Sequence, residues 1–272
     1  MSLSATWVGD APELIDRPSA SRLNVSSQEI ERVARQRGPG GSILAIHFQT
    51  MLRQLRVRYG SKIEFRSRQN DHACAAYRAL ELSDFAAINA RQAWANWRTI
   101  PRSLNRQLSS QAVVAIDLCC GVGDSTEVLA YYCSPGSRIL GLDMNATFVQ
   151  AARLRRYWNR NLFPAAVRFR EQSVLDTFRN RDGSQVRDQS VDLVNASGAV
   201  GCHFNSEATE VLAREVSRVV RPGGLATIDT GREGTSAEVL VDLFQWHGFR
   251  LVQHARSCIW DRYVQLCLRK VE

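Results

Sequence analysis

The sequence predicts an α/β fold, a mostly parallel sheet with helices on both faces, and three observations carry that reading. From Ala112 onward, short apolar runs alternate with amphipathic helical stripes, the signature of successive βαβ units. The first of those runs ends in a glycine turn that opens a helix. The last two runs are joined by too short a connection for a crossover helix, so they are expected to pair as an antiparallel hairpin.

Size and composition agree with such a fold. The chain has 272 residues, 44% hydrophobic and 23% charged, enough to bury a substantial core, and no apolar run approaches the length that spans a bilayer. Met1 to Asp10 lacks the basic start and apolar stretch of a secretory signal, so the expected address is the cytoplasm. The cysteines at 74, 119, 120, 133, 202, 258 and 267 form no Cys-x-x-Cys pair, which predicts reduced thiols and no structural metal.

Charge is unevenly spread. The formal net charge is +8, and Lys62 and Lys270 are the only lysines among 35 basic residues. Residues 1–110 carry 16 basic and 9 acidic side chains, whereas 111–272 carry 19 and 18. Arg53, Arg56, Arg58, Lys62, Arg66 and Arg68 face only Glu64. The patch reads first as a solvated helix face and second as a surface for phosphates or other anions.

Residues 1–41 read as a flexible arm with one short helix, opened by the capping-box pair Ser26 and Glu29 and stopped at Gly38-Pro39-Gly40-Gly41. Residues 42–110 read as a helical cap that covers the substrate, with a stripe from Ile43 to Tyr59, a helix from Asp71 to Leu80, and a helix capped by Ser83 that ends before Pro101. Residues 111–272 form the third unit. Its strands are expected at Ala112–Leu118, Arg138–Leu142, Val167–Arg170, Val191–Asn195, Leu225–Asp229, Leu251–Ala255 and Ile259–Leu268. Its helices are expected at Ser125–Cys133, Ala146–Trp158, Glu207–Val220 and Ala237–Trp246.

The turn Asp117-Leu118-Cys119-Cys120-Gly121-Val122-Gly123-Asp124 is the strongest functional signal. Glycines there let a ligand approach the backbone, and the helix start offers unpaired N–H donors. A dinucleotide site would need a third glycine where Thr126 stands, and would set a pyrophosphate beside Asp117 and Asp124. S-adenosylmethionine suits the residues better: Asp117 can attract its ammonium, Gly121 and Gly123 can admit its methionine portion, and Asp143, at the end of the next strand, can accept both ribose hydroxyls.

On these residues the chain resembles the class I S-adenosylmethionine-dependent methyltransferases. Asp117 to Gly123 is similar to the family's first motif, Gly141-Leu142-Asp143 to its second, Val191 to Val194 to its fourth strand, and Arg221-Pro222-Gly223-Gly224 to the turn before the fifth. The resemblance implies a Rossmann-like, doubly wound seven-stranded sheet of order 3-2-1-4-5-7-6 with the last strand antiparallel. It also implies S-adenosyl-L-methionine as cofactor. Cys119 stands where the usual motif has glycine, and the Cys-Cys-Gly-x-Gly-Asp form looks like some ubiquinone and menaquinone C-methyltransferases. By the same resemblance Ser173 stands where a family acid often meets the adenine amino group, with Val174 beside it and Met144 on the ring.

Methyl transfer to an activated carbon needs alignment and exclusion of water before it needs acid or base. The loop Asn195 to Phe204 follows the fourth strand, at the sheet edge where ligands bind in open α/β folds. Asn195 is expected on the cofactor, and His203 is the candidate base or acceptor-orienting group. Tyr77, Trp94 and Trp97 are candidates to roof the acceptor, or else core aromatics. The expected function is methyl transfer to a small molecule. The rivals are an RNA or protein methyltransferase that uses the Arg53–Arg68 region and a cofactor-binding protein without turnover. Neither the acceptor nor the oligomeric state is written in the sequence.

Overall fold

A computed structural model describes Tyr77, Leu80, Leu82, Phe85 and residues 89–271 apart from 109, 232, 233 and 260–262. The expected arm, the Ile43–Tyr59 stripe, the Ser83 cap and the Arg53–Arg68 patch lie outside the described residues.

The described chain opens with α1 (Ala90–Ser103), followed by β1 (Val114–Leu118), α2 (Asp124–Tyr132), β2 (Arg138–Asp143), α3 (Ala146–Arg153), β3 (Ala166–Glu171) and β4 (Val191–Ala196). Then come α4 (Val200–His203), α5 (Ser206–Val219), β5 (Val220–Thr230), α6 (Ala237–Trp246), β6 (Phe249–Ala255) and β7 (Val264–Lys270). The seven strands stand in the order β3-β2-β1-β4-β5-β7-β6. The first five are parallel; β7 pairs antiparallel with both β5 and β6, as the expected terminal hairpin requires.

Alternation along the strands divides the core into two layers. Ala115, Ile139, Leu193, Leu225 and Cys267 pack with Ile100 and Leu104 of α1, Val128 and Leu129 of α2, and Val149 and Ala152 of α3. Their neighbours Ile116, Leu140, Val194, Ala226 and Leu268 face Leu212 and Val216 of α5 and Leu240 and Phe244 of α6. Each fully buried Leu, Val or Phe side chain contributes about 1.5–3 kcal/mol relative to exposure. Three helices are set by side-chain caps: Asn145 accepts from Thr147 and Phe148 at the start of α3, Asn205 accepts from Ala208 at the start of α5, and Ser236 accepts from Val239 at the start of α6.

Several boundaries differ from the sequence expectation: β5 begins at Val220 rather than Leu225, β7 begins at Val264 rather than Ile259, and two helices end elsewhere. Helix α1 runs through Pro101 to Ser103. Proline there forgoes one bond in the last turn, while Ile100 and Leu104, both buried, hold that turn on the core. Helix α3 stops at Arg153 rather than Trp158, because Arg155 turns inward to the Val122 carbonyl and Asp124 and the chain enters a small hairpin joined at Trp158 and Pro164.

Candidate active site

The parallel strands deliver β1, β2 and β4 to one edge of the sheet, and the candidate residues gather there. Asp117 is fully buried in β1. Its Oδ2 accepts from Ser125 Oγ at 2.7 Å and Thr126 Oγ1 at 2.5 Å, and its Oδ1 accepts from Asn195 Nδ2 at 2.7 Å. The Thr227 hydroxyl donates to Asn195 Oδ1 at 2.8 Å. Asp117 and Asn195 therefore lie beneath the turn and brace it. Both side chains are enclosed and hydrogen-bonded to these neighbours.

The turn itself is strained where the sequence has a side chain in place of glycine. Cys119 has φ 51°, Gly121 φ 54° and Gly123 φ 85°. Only glycine takes that region without penalty, so Cys119 carries a backbone cost that its neighbours avoid. A Cβ on Gly123 would lie 2.1 Å from the Tyr157 hydroxyl, and one on Gly121 would lie 2.6 Å from Phe85 Cζ. Sequence reasoning missed Phe85; its ring, packed on Phe148 with centroids 4.2 Å apart, covers the exposed face of the turn.

Asp143 ends β2 at the mouth of the site. Its Oδ2 accepts from the Gly121 N–H at 2.8 Å and its Oδ1 from the Asn145 N–H at 2.9 Å, so one carboxylate fixes both the glycine turn and the start of α3. Burial pushes both Asp117 and Asp143 up to about 6 from an ordinary 3.8, against the pull of their hydrogen bonds.

Beside Asp143 lies an open cleft of about 390 Å³, lined by Met144, Ser173, Glu171, Gln172, Asp176 and Thr147 among others. Met144 and Ser173 are thus brought together as expected. Ser173 Oγ accepts from the Leu175 N–H. Val174 is not on the cleft: it is buried in the layer with Phe178. Glu171 and Asp176 were not singled out from the sequence, although carboxylates just past a strand end are the signal that could have found them.

Across the edge, α4 carries His203. Its Nε2 lies 3.0 Å from the Tyr77 hydroxyl, with the ring centroids 5.0 Å apart. Burial lowers His203 to about 4, so the imidazole is neutral at pH 7. Burial also pushes the Tyr77 phenol well above its ordinary range. The Asn145 side chain donates to the Tyr77 carbonyl at 2.8 Å, and Leu82, Phe85, Val122 and Phe148 share one apolar cluster. Trp97, by contrast, packs edge-on to Tyr131 and Tyr132 at the far end of α2, which corrects its placement over the site. Trp94 lies under the Arg98 guanidinium, 5.3 Å from ring centroid to Cζ.

A further missed residue is Asp229, at the end of β5. Its oxygens accept from the N–H groups of Ala199 and Val200 at 3.2 Å and Gly201 at 2.9 Å. A Cβ on Gly201 would fall 2.3 Å from the Thr230 carbonyl carbon, so α4 is seated directly against the β5 backbone. A carboxylate inside the apolar run Leu225 to Thr230 was the sequence signal for this post.

Comparisons with known proteins follow this geometry. Residues 115–224 match the family model described as a methyltransferase domain. The segment is similar to the methyltransferase domains that this model describes. The chain is 30% identical over 114 residues to a demethylmenaquinone methyltransferase of Lactobacillus johnsonii, a match that spans 40% of each chain. Among solved structures, a S-adenosylmethionine-dependent methyltransferase of Leishmania major aligns with TM-score 0.54 at 14% identity, over 73% of this chain and 82% of that one. A chain in the complex between the Haloferax volcanii Trm112 methyltransferase activator and a methyltransferase aligns with TM-score 0.52 at 17% identity, over 69% and 96%. These two likenesses are likenesses of fold.

The donors and acceptors at the edge fit an adenosine. The cleft offers about 390 Å³ beside Met144 and Asn145, next to the buried Asp143. At the other end of the turn, Phe85 closes the glycine face.

Proposed function

We propose that the chain is an enzyme that moves a methyl group from S-adenosylmethionine to a small-molecule acceptor by in-line displacement. The observation that carries this reading is the cover over the turn: Phe85 meets Gly121, and Tyr77 is tied at once to Asn145 on the cofactor side and to His203 on the acceptor side. A roof of that kind encloses a small acceptor and excludes water. We infer with it a cap at 42–110 on a methyltransferase unit of 111–272, an arm of 1–41 and a cytoplasmic address.

When bound, S-adenosylmethionine supplies an already activated methyl carbon. Asp143 takes the ribose hydroxyls, Met144 and Ser173 the base, and the Gly121–Gly123 backbone the methionine portion, while Asp117 and Asn195 keep that backbone in place. His203, neutral at pH 7 with a pKa far below the operating pH, orients the acceptor with Tyr77 rather than removing a proton from a weakly acidic group.

The test is incubation of the protein with radiolabelled-methyl S-adenosylmethionine and a cell extract, followed by counting of organic-soluble, aqueous small-molecule, RNA and protein fractions. Label is expected among small molecules and is expected to vanish with an Asp143→Ala control. Label confined to RNA or protein would replace the small-molecule reading with the polymer one, and no label in any fraction would remove the enzymatic reading.

A further inference from the structure

Charge within residues 111–272 is nearly balanced, yet it is not evenly placed. From Met144 to Arg170 there is no acidic residue, while Arg153, Arg155, Arg156, Arg160, Arg168 and Arg170 fall in that stretch. Arg155 is consumed internally by Asp124 and Glu127. Arg153, Arg156 and Arg160 are exposed. Arg156 and Arg160 belong to the hairpin that follows α3, at the β3 edge of the sheet, whereas Arg153 donates to the Phe169 carbonyl.

That hairpin is held rigidly. The Ala165 N–H donates to the Tyr157 carbonyl, the Asn159 N–H to the Phe163 carbonyl and the Leu162 N–H to the Asn159 carbonyl, while Asn159 Oδ1 accepts from the N–H groups of Asn161 and Phe163. Its tip carries apolar side chains outward. Leu162 is 62% and Phe163 64% exposed, with Leu154 at 43% beside the base. Leu162 has φ 61°, the position of a three-residue hairpin loop that glycine ordinarily fills. A leucine there strains the backbone and gains no burial within the chain.

We propose that this hairpin is a docking surface for an anionic lipid bilayer: Leu154, Leu162 and Phe163 enter the interfacial region while Arg156 and Arg160 meet acidic headgroups. The pairing of an apolar tip with a basic collar complements such a surface on both counts. RNA shares the charge but not the rest, since two of the three apolar side chains are leucines, which offer a base no ring to stack on. The hairpin lies at the strand-start end of the sheet, where Asn159 and Pro164 to Ala166 lie close to Gly136 and Ser137 ahead of β2. The site mouth at the opposite edge therefore stays open to solvent in the docked state.

Co-sedimentation of the full chain with phosphatidylcholine vesicles, with and without phosphatidylglycerol, tests the surface. Binding is expected only with phosphatidylglycerol and is expected to weaken with salt. The double variant Leu162→Ser/Phe163→Ser should lose at least about tenfold in partitioning, and Arg156→Gln/Arg160→Gln roughly fivefold per arginine. Both variants should bind S-adenosylmethionine as the native protein does, which separates loss of docking from loss of fold. Native-level vesicle binding by the leucine–phenylalanine variant would overturn the proposal, since another surface would then be responsible. So would failure of the native chain to bind, or binding to RNA that these substitutions reduce while no vesicle binding is seen.

Discussion

Two strand ends place a carboxylate at the same edge of the sheet and use it in opposite ways. Asp143, ending β2, holds the glycine turn with one oxygen and the start of α3 with the other, beside the cleft that Met144 and Asn145 line. Asp229, ending β5, is 3% exposed and spends both oxygens on the backbone of α4. Both carboxylates are buried and taken up by backbone N–H groups; the first adjoins Met144 on the cleft, and the second adjoins the helix that carries His203. An acid at the end of a parallel strand is therefore not by itself a ligand-binding signal, because what counts is which element its oxygens fix, the glycine turn in one case and α4 in the other.

The comparison is sharpened most by Asp229→Asn. An amide keeps one acceptor and turns an NH₂ toward N–H groups that need acceptors, so α4 loosens and His203 loses its fixed relation to Tyr77. Methyl transfer is expected to fall about 10- to 100-fold, the scale of a misplaced orienting group. S-adenosylmethionine affinity should stay within about twofold, since no N–H bonded to Asp229 belongs to the cofactor turn. An equal loss of cofactor affinity, measured by calorimetry, would show that the two halves do not act separately.

A smaller effect belongs to the buried partner of Asp143. Asp117 has a folded pKa raised to about 6 from 3.8, so between about pH 4 and pH 6 the folded chain binds more protons than the unfolded one. Its contribution to stability is thus greatest at low pH and is lost as pH rises through about 6. Asp117→Asn, uncharged throughout, should flatten the fall in thermal midpoint across that window. A variant with the native slope would place the titration elsewhere.

The cofactor half was largely legible in the sequence because its features are local. The glycine turn, Asp117 and Asp143 sit at the ends of successive strands; strand alternation with a terminal hairpin anticipated a mostly parallel sheet with an antiparallel end, while the order of the strands came from the family resemblance. What was not legible depends on contacts far apart in the chain. Tyr77 and His203 are separated by 126 positions, so their pairing has no sequence pattern. Phe85 reads as one more aromatic on a helix until its ring is found against Gly121. Trp97 has the same helical spacing and belongs instead to the packing of α1 on α2. Pro101 shows the limit of a local rule, since buried neighbours outweigh one missing hydrogen bond. Asn195 and Val174 were assigned by position in a motif, and each proved to serve the interior.

The central claim is that the β1–β2 edge holds S-adenosylmethionine through Asp143, and a calorimetric titration of the native chain and Asp143→Ala at pH 7.5 and pH 5 tests it most directly. One molecule should bind per chain, and Asp143→Ala should weaken binding by about 1–3 kcal/mol at the higher pH. Protonation of Asp143 below about 6 should weaken the native chain toward the variant at the lower pH. Native affinity in Asp143→Ala, or an affinity indifferent to pH across that range, would contradict the assignment.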